Sequence, residues 1–314
     1  MDLQTHVRYS PLQLLDDPIL TSFGLRLYLK RDDLLHPTVS GNKWRKLKYN
    51  LQEADNQQKR QLLTFGGAYS NHIYATAAAG QLFGFETIGV IRGEETLPLN
   101  PTLSFARDCG MHLHYVDRQT YTHKYQWEFL DGLSGQFGDF YLLPEGGTNA
   151  LAVKGCSEII SEIKLDKSAP SYDYICCCCA TGGTLAGLVA SLPAGKKALG
   201  FSALKGGDFL VGDVKQVLKA YRNAFDCPSF NTNNFQLISD YHFGGYAKTT
   251  PGLLRFIQQF EHHQGVLLDQ VYTGKMMAGL YNMIQQGAFQ AGQTIIALHT
   301  GGLSGRSPEL DKEF

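Results

Sequence analysis

The sequence lacks an excess of charge of either sign. Its 314 residues include 28 Lys and Arg against 29 Asp and Glu, a formal net charge of −1, without a long block of like charges. A chain that binds nucleic acid or an anionic membrane surface through its charge normally carries a basic patch. We therefore expect neither nucleic acid nor a membrane as a partner.

Long apolar runs are also missing. No stretch approaches the roughly 18 apolar residues that a membrane-spanning helix requires. The N-terminal segment Met1–His6 carries an acid where a signal peptide has basic residues, and no apolar region follows it. These absences predict a cytoplasmic protein. The hydrophobic content of 43%, beside only 18% charged residues, is too high for a disordered chain.

The seven cysteines lack the spacing of a metal site or of a disulfide framework. Four of them, Cys176 to Cys179, are consecutive, and neighbouring side chains of an extended strand point to opposite faces. Cys176 and Cys179 form a CxxC pattern, but no second pair completes a zinc site. We interpret these cysteines as small buried apolar side chains in a reducing compartment, with no metal bound.

Short apolar runs alternate with segments of helical periodicity along the chain, and many of the 34 glycines lie between them. The predicted strands are Leu62–Phe65, Thr87–Ile91, His112–Val116, Tyr141–Leu143, Tyr174–Cys179, Ala198–Ala203, Gln236–Ile238 and Thr294–His299. The predicted helices are Asn42–Gln58, Ala150–Lys164, Thr184–Leu192, Asp213–Ala224, Pro251–His262 and Gly274–Gln286. Such alternation predicts an α/β fold with parallel sheets flanked by helices, which binds ligands at the carboxyl ends of its strands.

One candidate for chemistry is a lysine at a predicted helix start. Gly41 and Asn42 suit a helix N-cap, which places Lys43 in the first turn. A cation there opposes the helix dipole. Burial and the dipole would both lower the pKa of this lysine and provide the neutral amine that a Schiff base requires. The alternative is an ordinary solvated lysine, which we predict for Lys46 and Lys48.

A second candidate is the glycine turn Gly66-Gly67, which leads through Ser70 and Asn71 into an alanine-rich helix. Backbone N–H groups at such a turn can hold an anion, and the side chains of Ser70 and Asn71 would face the same crevice. The alternative is that one of them only caps the helix. His72 follows without a visible acidic partner, so a structural role is the simpler interpretation.

A third candidate is the turn Ala180, Thr181, Gly182, Gly183 and Thr184, directly after the cysteine-rich strand. Two glycines let the backbone wrap an anion, the hydroxyls add donors, and the dipole of the next helix favours negative charge. The pattern is neither GxxxxGK[ST] nor GxGxxG, which disfavours a nucleoside triphosphate or a dinucleotide. A single phosphate monoester fits, and an ordinary glycine turn is the alternative.

A fourth candidate is Thr300, which follows the last predicted strand in the sequence His-Thr-Gly-Gly. Its neutral hydroxyl could face an aromatic ring nitrogen, and a threonine that only stabilises the turn is the alternative. Together, the Lys43 amine, a cradle for one phosphate and a polar residue at a neighbouring strand end are what pyridoxal 5'-phosphate requires. The sequence therefore predicts this cofactor.

Six motifs in one order carry a resemblance to a known enzyme family. They are GNKxRKL, GGAYSNH, EGG(T/S)N, ATGGTxAGL, VYTGKxMxGL and HTGG, and the similarity extends from about Lys30 to Gly302. They resemble the pyridoxal-phosphate enzymes that include D-cysteine desulfhydrase and 1-aminocyclopropane-1-carboxylate deaminase, in the tryptophan synthase β-like class. The resemblance implies an α/β enzyme of PLP fold type II with two domains. Residues 1–45 and 153–314 would form the larger cofactor-binding domain and 46–152 a smaller inserted α/β domain, commonly in a homodimer.

The resemblance also implies roles for single residues. Lys43 would hold the cofactor covalently, Asn71 would hydrogen-bond the phenolic oxygen of its ring, and Thr300 would face its pyridine nitrogen. The turn Ala180 to Thr184 would bind the phosphate. The residues implied to line the substrate pocket and to act on the substrate are Ser70, Tyr246 and Tyr272.

Two departures from the family pattern bear on the substrate. Thr273 stands where the deaminase branch has a glutamate, and the desulfhydrase branch also has threonine there. Gln270 replaces a usual proline, and the tail Leu303–Arg306 lacks the usual Pro-Ala-Leu-Phe. The first departure favours desulfhydrase chemistry. The second leaves the side chain of the substrate open, because the tail borders the pocket in this family.

The predicted function is α,β-elimination from a small amino acid, namely conversion of D-cysteine to pyruvate, sulfide and ammonia. Thr300 in place of a carboxylate would not keep the ring nitrogen protonated, which suits prompt loss of a β-substituent rather than transamination. One alternative is a deaminase that opens aminocyclopropane carboxylate to 2-oxobutyrate, with Ser70 or a tyrosine as nucleophile. Others are elimination from D-serine or from a β-chloro or sulfonated analogue, and a non-catalytic protein that binds the cofactor or an amino acid.

Overall fold

A computed structural model of the chain describes residues 3–227 and 230–311. The strands are β1 (Leu12–Leu14), β2 (Arg26–Lys30), β3 (Gln61–Gly67), β4 (Glu86–Arg92), β5 (His112–Val116), β6 (Tyr141–Leu143), β7 (Tyr174–Cys179), β8 (Lys197–Ser202), β9 (Phe235–Ile238) and β10 (Thr294–Leu298). The α-helices are α1 (Pro18–Ser22), α2 (Asn42–Asn56), α3 (Asn71–Phe83), α4 (Pro101–Asp108), α5 (Arg118–Tyr121), α6 (Trp127–Phe137), α7 (Ala150–Leu165), α8 (Gly183–Ser191), α9 (Leu210–Phe225), α10 (Pro251–Gln264) and α11 (Thr273–Gln285).

The strands form two sheets. The larger has six strands in the order β1-β2-β10-β7-β8-β9, and the smaller has the order β5-β4-β3-β6. Every neighbouring pair is parallel except β1 with β2 at one edge. The predicted α/β class with parallel sheets is confirmed. Each predicted strand and helix is present, with ends within three residues of the prediction.

The two sheets draw on different parts of the chain. All strands of the smaller sheet lie within 61–143, whereas the larger sheet takes strands from before and after that stretch. The division into 46–152 and the two flanking parts stays a prediction, and residues 1–2, 228–229 and 312–314 lie outside the described residues. Helix α2 starts before position 46 and continues across it. None of the described helices is long and apolar enough to cross a membrane.

The cysteine-rich strand β7 lies in the core of the larger sheet. Cys176 and Cys178 pack into the apolar cluster on one face, and Cys177 and Cys179 pack into the cluster on the other. This alternation is what an extended strand imposes, and it confirms the interpretation as buried apolar side chains. Burial raises the pKa of the Cys176 and Cys178 thiols, which keeps them protonated.

The sequence predictions miss β1 and β2. In β2, Leu27 and Leu29 are fully buried, while Lys30 at its end is also buried, with 2% exposed. The Lys30 ammonium donates to Glu162 at 2.9 Å and to the carbonyl oxygen of Ser10. A buried lysine obscures the apolar pattern of a strand, and its carboxylate partner is more than a hundred positions away in the sequence.

Helix α2 is linked to Asp32, just after β2, and to α7 by an ion network that is buried at Arg45 and Asp32 and partly exposed at Glu162. The guanidinium of Arg45 forms two hydrogen bonds with Asp32, at 2.7 and 2.8 Å, and two with Glu162, at 2.6 and 2.9 Å. A Cβ atom on Gly155 would lie 1.9 Å from the Arg45 carbonyl oxygen, so α7 approaches α2 with no room for a side chain. These contacts set the position of the helix that carries Lys43.

Substituting Gly155→Ala should destabilise the fold by about 1–3 kcal/mol or more, because the new methyl group meets the backbone of α2. Urea unfolding monitored by circular dichroism measures this change in free energy. Gly135→Ala is the matched control, since Gly135 lies in α6 with no atom within 4 Å of an added Cβ. That control should be neutral or stabilise by up to about 1 kcal/mol. Equal stability of the two variants would contradict the packing argument.

Candidate active site

A cavity of about 880 Å³ lies at the carboxyl ends of strands from both sheets. It lies beside the last residues of β3, β4 and β7 and the turns after β6 and β10. All the residues predicted for the site line this cavity, namely Lys43, Ser70, Asn71, Ala180, Thr181, Gly182, Gly183, Thr184, Tyr246, Tyr272 and Thr300. Their individual roles stay predictions. Among the described residues, no group of three or more His, Cys, Asp or Glu could hold a metal ion.

Lys43 is the second residue of α2, as predicted. Gly41 caps the helix with φ 61°, and a Cβ there would lie 1.9 Å from the Thr300 carbonyl oxygen, so this position requires glycine. The Asn42 side-chain amide donates to the Thr184 hydroxyl at 2.9 Å. The start of α2 therefore contacts both the turn after β7, through Thr184, and the turn after β10, through the Thr300 carbonyl oxygen.

The electrostatic surroundings of Lys43 favour a neutral amine. Burial lowers its pKa well below the ordinary value, and the positive charge of Lys46 lowers it further. A lysine with a lowered pKa presents a free lone pair near neutral pH, which a carbonyl-reactive nucleophile needs.

The turn after β7 has the features of an anion site. Gly182 has φ 72°, and Gly183 begins α8, whose first N–H groups have no partner within the helix. A Cβ on Gly183 would lie 2.7 Å from the Thr148 hydroxyl and 3.1 Å from the Lys46 ammonium. Backbone donors, hydroxyls and an ammonium thus surround a space that only glycine leaves open, and this donor set fits one phosphate group.

The prediction that Lys46 and Lys48 are solvated is wrong. Lys46 is 2% exposed, and its ammonium donates to the Gly146 carbonyl oxygen and the Thr148 hydroxyl, each at 3.0 Å. No carboxylate among the described residues lies within 4.0 Å of it. Lys48 pairs with Glu158 at 2.8 Å. The sequence carried one signal that Lys46 belongs to the site, namely its spacing from Lys43. Residues three apart share a helix face, and Lys46 follows Lys43 by three.

Ser70 and Asn71 stand at the start of α3. The Ser70 hydroxyl accepts hydrogen bonds from the N–H groups of His72 and Ile73, at 3.2 and 3.3 Å, so the capping alternative holds for Ser70 although it also lines the cavity. A Cβ on Gly302 would lie 2.6 Å from the Asn71 amide nitrogen. The turn after β10 therefore packs directly against Asn71.

His72 has the structural role that its sequence context suggested. It is 1% exposed, and its Nε2 lies 2.8 Å from the Thr64 hydroxyl, which donates to the Leu143 carbonyl oxygen at 3.0 Å. Because the hydroxyl proton is already used, we assign the hydrogen of the ring to Nε2. Burial lowers the pKa of His72 well below its ordinary value, and the nearby charge of Lys46 lowers it further, so the ring is neutral.

Two tyrosines that line the cavity contact each other. The Tyr272 hydroxyl donates to the Tyr246 hydroxyl at 3.1 Å, and the rings meet edge to face with centroids 6.1 Å apart. Burial raises the pKa of Tyr246 and, more strongly, that of Tyr272. Both phenols therefore keep their protons at neutral pH.

Thr273 faces away from the cavity. Its hydroxyl donates to the Asp269 carboxylate at 2.6 Å and is fully buried. The same carboxylate accepts the backbone N–H groups of Val271, Tyr272 and Thr273 at 2.7–2.8 Å. Asp269 and Thr273 therefore shape the turn that presents Tyr272, and no carboxylate occupies position 273.

The two parts of the second departure from the family pattern, Gln270 and the tail, contact each other. The Gln270 side chain donates to the Gly305 carbonyl oxygen at 2.8 Å and accepts from the Ser307 N–H at 3.0 Å. Arg306, between them, pairs with Glu261. A proline at position 270 could make neither side-chain contact. Gln270 thus holds the tail in place. Ser304, which belongs to this tail, lines the cavity.

Replacing Lys46 by methionine should raise the pKa of Lys43, because a positive charge that lowers it is removed. The pH midpoint for reaction of Lys43 with pyridoxal 5'-phosphate, followed by visible absorbance, should rise. Lys48→Met is the control, since the charge of Lys48 is already compensated by Glu158. A midpoint that does not move in the Lys46 variant would contradict the electrostatic coupling.

Gln270→Leu should loosen the tail, because two buried hydrogen bonds are lost at a cost of about 1–2 kcal/mol. We expect faster hydrogen exchange over residues 303–307 and a several-fold higher KM, with kcat less affected. Gln290→Leu, at an exposed position, is the control for the change of side chain. Unchanged exchange over 303–307 would show that Gln270 does not hold the tail.

Comparisons with known proteins agree with this geometry. The family model described as pyridoxal-phosphate dependent enzyme matches residues 3–301. A Pyrococcus furiosus protein, named provisionally as a 1-aminocyclopropane-1-carboxylate deaminase, is 32% identical and covers 96% of this chain and 92% of its own. A Serratia proteamaculans protein named D-cysteine desulfhydrase is 29% identical and covers 89% of this chain and 87% of its own.

The solved structures agree as well. One described as a homologue of ACC deaminase, the enzyme acting on 1-aminocyclopropane-1-carboxylate, superposes with a TM-score of 0.84 at 28% identity. The alignment covers 96% of this chain and 91% of that one. The predicted fold type II and the predicted cofactor are confirmed. The chain belongs to the family of pyridoxal-phosphate dependent enzymes, as a lyase of the 1-aminocyclopropane-1-carboxylate deaminase and D-cysteine desulfhydrase type.

Proposed function

We propose that this lyase is a D-cysteine desulfhydrase, which converts D-cysteine and water to pyruvate, hydrogen sulfide and ammonia. The observation that carries the proposal is the protonated phenol pair, Tyr246 and Tyr272, in the same cavity as the neutral amine of Lys43. An elimination needs a base for the α-proton and a hydrogen-bond donor for the departing group. Lys43 would supply the base, and the tyrosine pair would supply the donor.

The described residues fit the cofactor, and we propose the following contacts. Lys43 would hold it covalently, and the turn Ala180 to Thr184, together with Lys46, would bind its phosphate. Asn71 would hydrogen-bond the phenolic oxygen of the ring, and Thr300 would face the ring nitrogen. When bound, pyridoxal 5'-phosphate supplies the electron sink that makes the α-proton of an amino acid acidic.

Lys43 would also act on the substrate. Once its side chain is free, it would present an amine that stays neutral because its pKa is lowered. That amine then takes the α-proton onto Nζ. The carboxylate of the substrate would lie at the positive end of α3, beside Ser70 and Asn71.

The tyrosine pair would act on the departing group. Since Tyr272 donates to Tyr246, the Tyr246 proton is free to point at the β-substituent and to stabilise a leaving thiolate. Opening a cyclopropane ring instead requires a nucleophile or a base on this wall. The raised pKa values of the two phenols oppose that role, and the Ser70 hydroxyl already accepts two backbone N–H groups.

The remaining parts of the proposal rest on the family resemblance. We propose a homodimer in the cytoplasm, with residues 1–45 and 153–314 forming the cofactor domain and 46–152 the inserted domain. Sedimentation velocity of the purified holoenzyme tests the dimer.

Product release across a substrate panel tests the function. D-cysteine should give sulfide and pyruvate in equal amounts, with lower rates for L-cysteine and D-serine. Lys43→Ala should lose the visible absorbance of the covalently bound cofactor and at least about 10³-fold of the activity, whereas Lys48→Met should keep both. Formation of 2-oxobutyrate from aminocyclopropane carboxylate, without sulfide from D-cysteine, would select the deaminase instead. A purified protein without the absorbance and without any of these activities would leave only a binding role.

A further inference from the structure

The ammonium of Lys275 is a buried charged group that the proposed function does not use. Lys275 is the third residue of α11, and only 1% of it is exposed. Its ammonium donates to the carbonyl oxygens of His242 and Gly245, at 2.8 and 2.7 Å. No carboxylate in the part of the chain that the structure describes lies within 4.0 Å of it. The ammonium is therefore bound by backbone carbonyls rather than by an acidic side chain.

Both carbonyls belong to the loop 241–247, which carries Tyr246. The His242 carbonyl oxygen also accepts the Gly245 N–H at 3.0 Å, and the Gly245 carbonyl oxygen accepts the Lys248 N–H at 3.1 Å. The two carbonyls thus close two consecutive turns, and Tyr246 directly follows the residue that the turns share. One ammonium links both turns to α11.

The backbone of this loop adopts a conformation that side chains disfavour. Phe243 and Ala247, on either side of Tyr246, have φ of 50° and 55°, in the left-handed region that residues other than glycine rarely adopt. Positions 246–250 are exposed, so their packing contributes little to holding the loop. A locally unfavourable conformation persists only when the surrounding structure determines it. The ammonium of Lys275 provides two such contacts from the buried side of the loop.

Helix α11 supports both members of the tyrosine pair. Tyr272 is the residue at its N-cap, and Tyr246 is attached to its first turn through Lys275. Two turns further along, the Asn282 side chain accepts a hydrogen bond from the Tyr241 hydroxyl at 2.8 Å, which fixes the start of the loop. One helix therefore sets the 3.1 Å distance between the two phenol oxygens.

We propose that Lys275 is a positioning residue of the active site. Its ammonium holds the loop 241–247 on α11 and thereby keeps the Tyr246 hydroxyl beside that of Tyr272. This inference rests on the proposed function, in which Tyr246 stabilises the departing group. An ammonium suits this task because it has three N–H donors, and its charge strengthens each hydrogen bond to a carbonyl oxygen.

Two substrates with different leaving groups test this role. A hydrogen bond from Tyr246 assists departure of hydrosulfide from D-cysteine, whereas chloride leaves β-chloro-D-alanine without such help. Lys275→Met should therefore lower kcat for D-cysteine by about 10–100-fold and kcat for β-chloro-D-alanine by less than about threefold, and Tyr246→Phe should do the same. Lys248→Met is the matched control, since Lys248 is an exposed lysine of the adjacent turn.

The double variant separates positioning from a general effect on the fold. If Lys275 acts through Tyr246, adding Lys275→Met to Tyr246→Phe should lower kcat for D-cysteine by less than about a further threefold, because both changes remove the same interaction. Independent effects would multiply instead. Multiplied losses, or equal losses for the two substrates, would overturn the proposal and leave Lys275 with a role in folding alone.

Lys275→Ala provides a second variant, in which the missing part of the side chain can be supplied from solution. Propylammonium has the three carbons and the ammonium that this variant lacks, and it should raise kcat for D-cysteine several-fold. Tetramethylammonium, a cation without N–H donors, should not. The unaltered holoenzyme, assayed in both salts, corrects for reaction of the amine with the cofactor. Equal rescue by both cations would contradict the role of the N–H donors, and loss of the folded holoenzyme in both Lys275 variants would contradict a role confined to positioning.

Hydrogen exchange gives a readout that does not require turnover. In Lys275→Met holoenzyme, the amides of Gly245 and Lys248 should exchange at least about tenfold faster, because the turns that they close are released from α11. Unchanged exchange would overturn the proposal. If no amino acid is turned over by the unaltered holoenzyme, the proposed function fails, and exchange at these two amides still decides whether Lys275 holds the loop.

Discussion

The arrangement of the cavity depends on the ion network between Arg45, Asp32 and Glu162, in which Arg45 and Asp32 are buried. Its side chains fix α2 against the sheet, and the Asp32 carbonyl oxygen also accepts the Gly41 N–H at 3.0 Å. Gly41 in turn contacts the Thr300 backbone too closely for any side chain. One acidic residue thus orients both the body and the first turn of the helix that carries Lys43. Breaking a buried pair leaves an uncompensated charge, so the geometry is strongly held.

The positively charged side chains of the cavity lie at different places on its wall. Lys43 and Lys46 both lie on α2, and the Lys46 ammonium reaches the turn after β7, whereas Arg92 ends β4. Burial lowers the pKa of both lysines, because removal from water disfavours the charged ammonium. The neutral amine of Lys43 can therefore share one cavity with the guanidinium of Arg92, which stays charged.

The sequence predicted the helices and strands better than the contacts between residues that are far apart in the chain. Strands such as β5, β6 and β7 have the predicted ends because their apolar runs are bounded by turn residues. The glycine turns were found because glycine permits backbone geometries that other residues resist. Lys46 was misread, because its burial depends on Gly146 and Thr148, a hundred positions away. The contact of Gln270 with Gly305 likewise joins two segments whose proximity only the fold reveals.

The cysteine-rich strand has a consequence for chemoselectivity. Cys178 and Cys179 end β7 beside the same cavity as Lys43, so thiols and an amine lie close together there. Removal from water acts on these two nucleophiles in opposite directions. It lowers the pKa of Lys43 and raises that of Cys178, so the amine carries a free lone pair while the sulfur stays un-ionised. The thiolate, the form of sulfur that would compete with the amine for an aldehyde, is thereby disfavoured at Cys178.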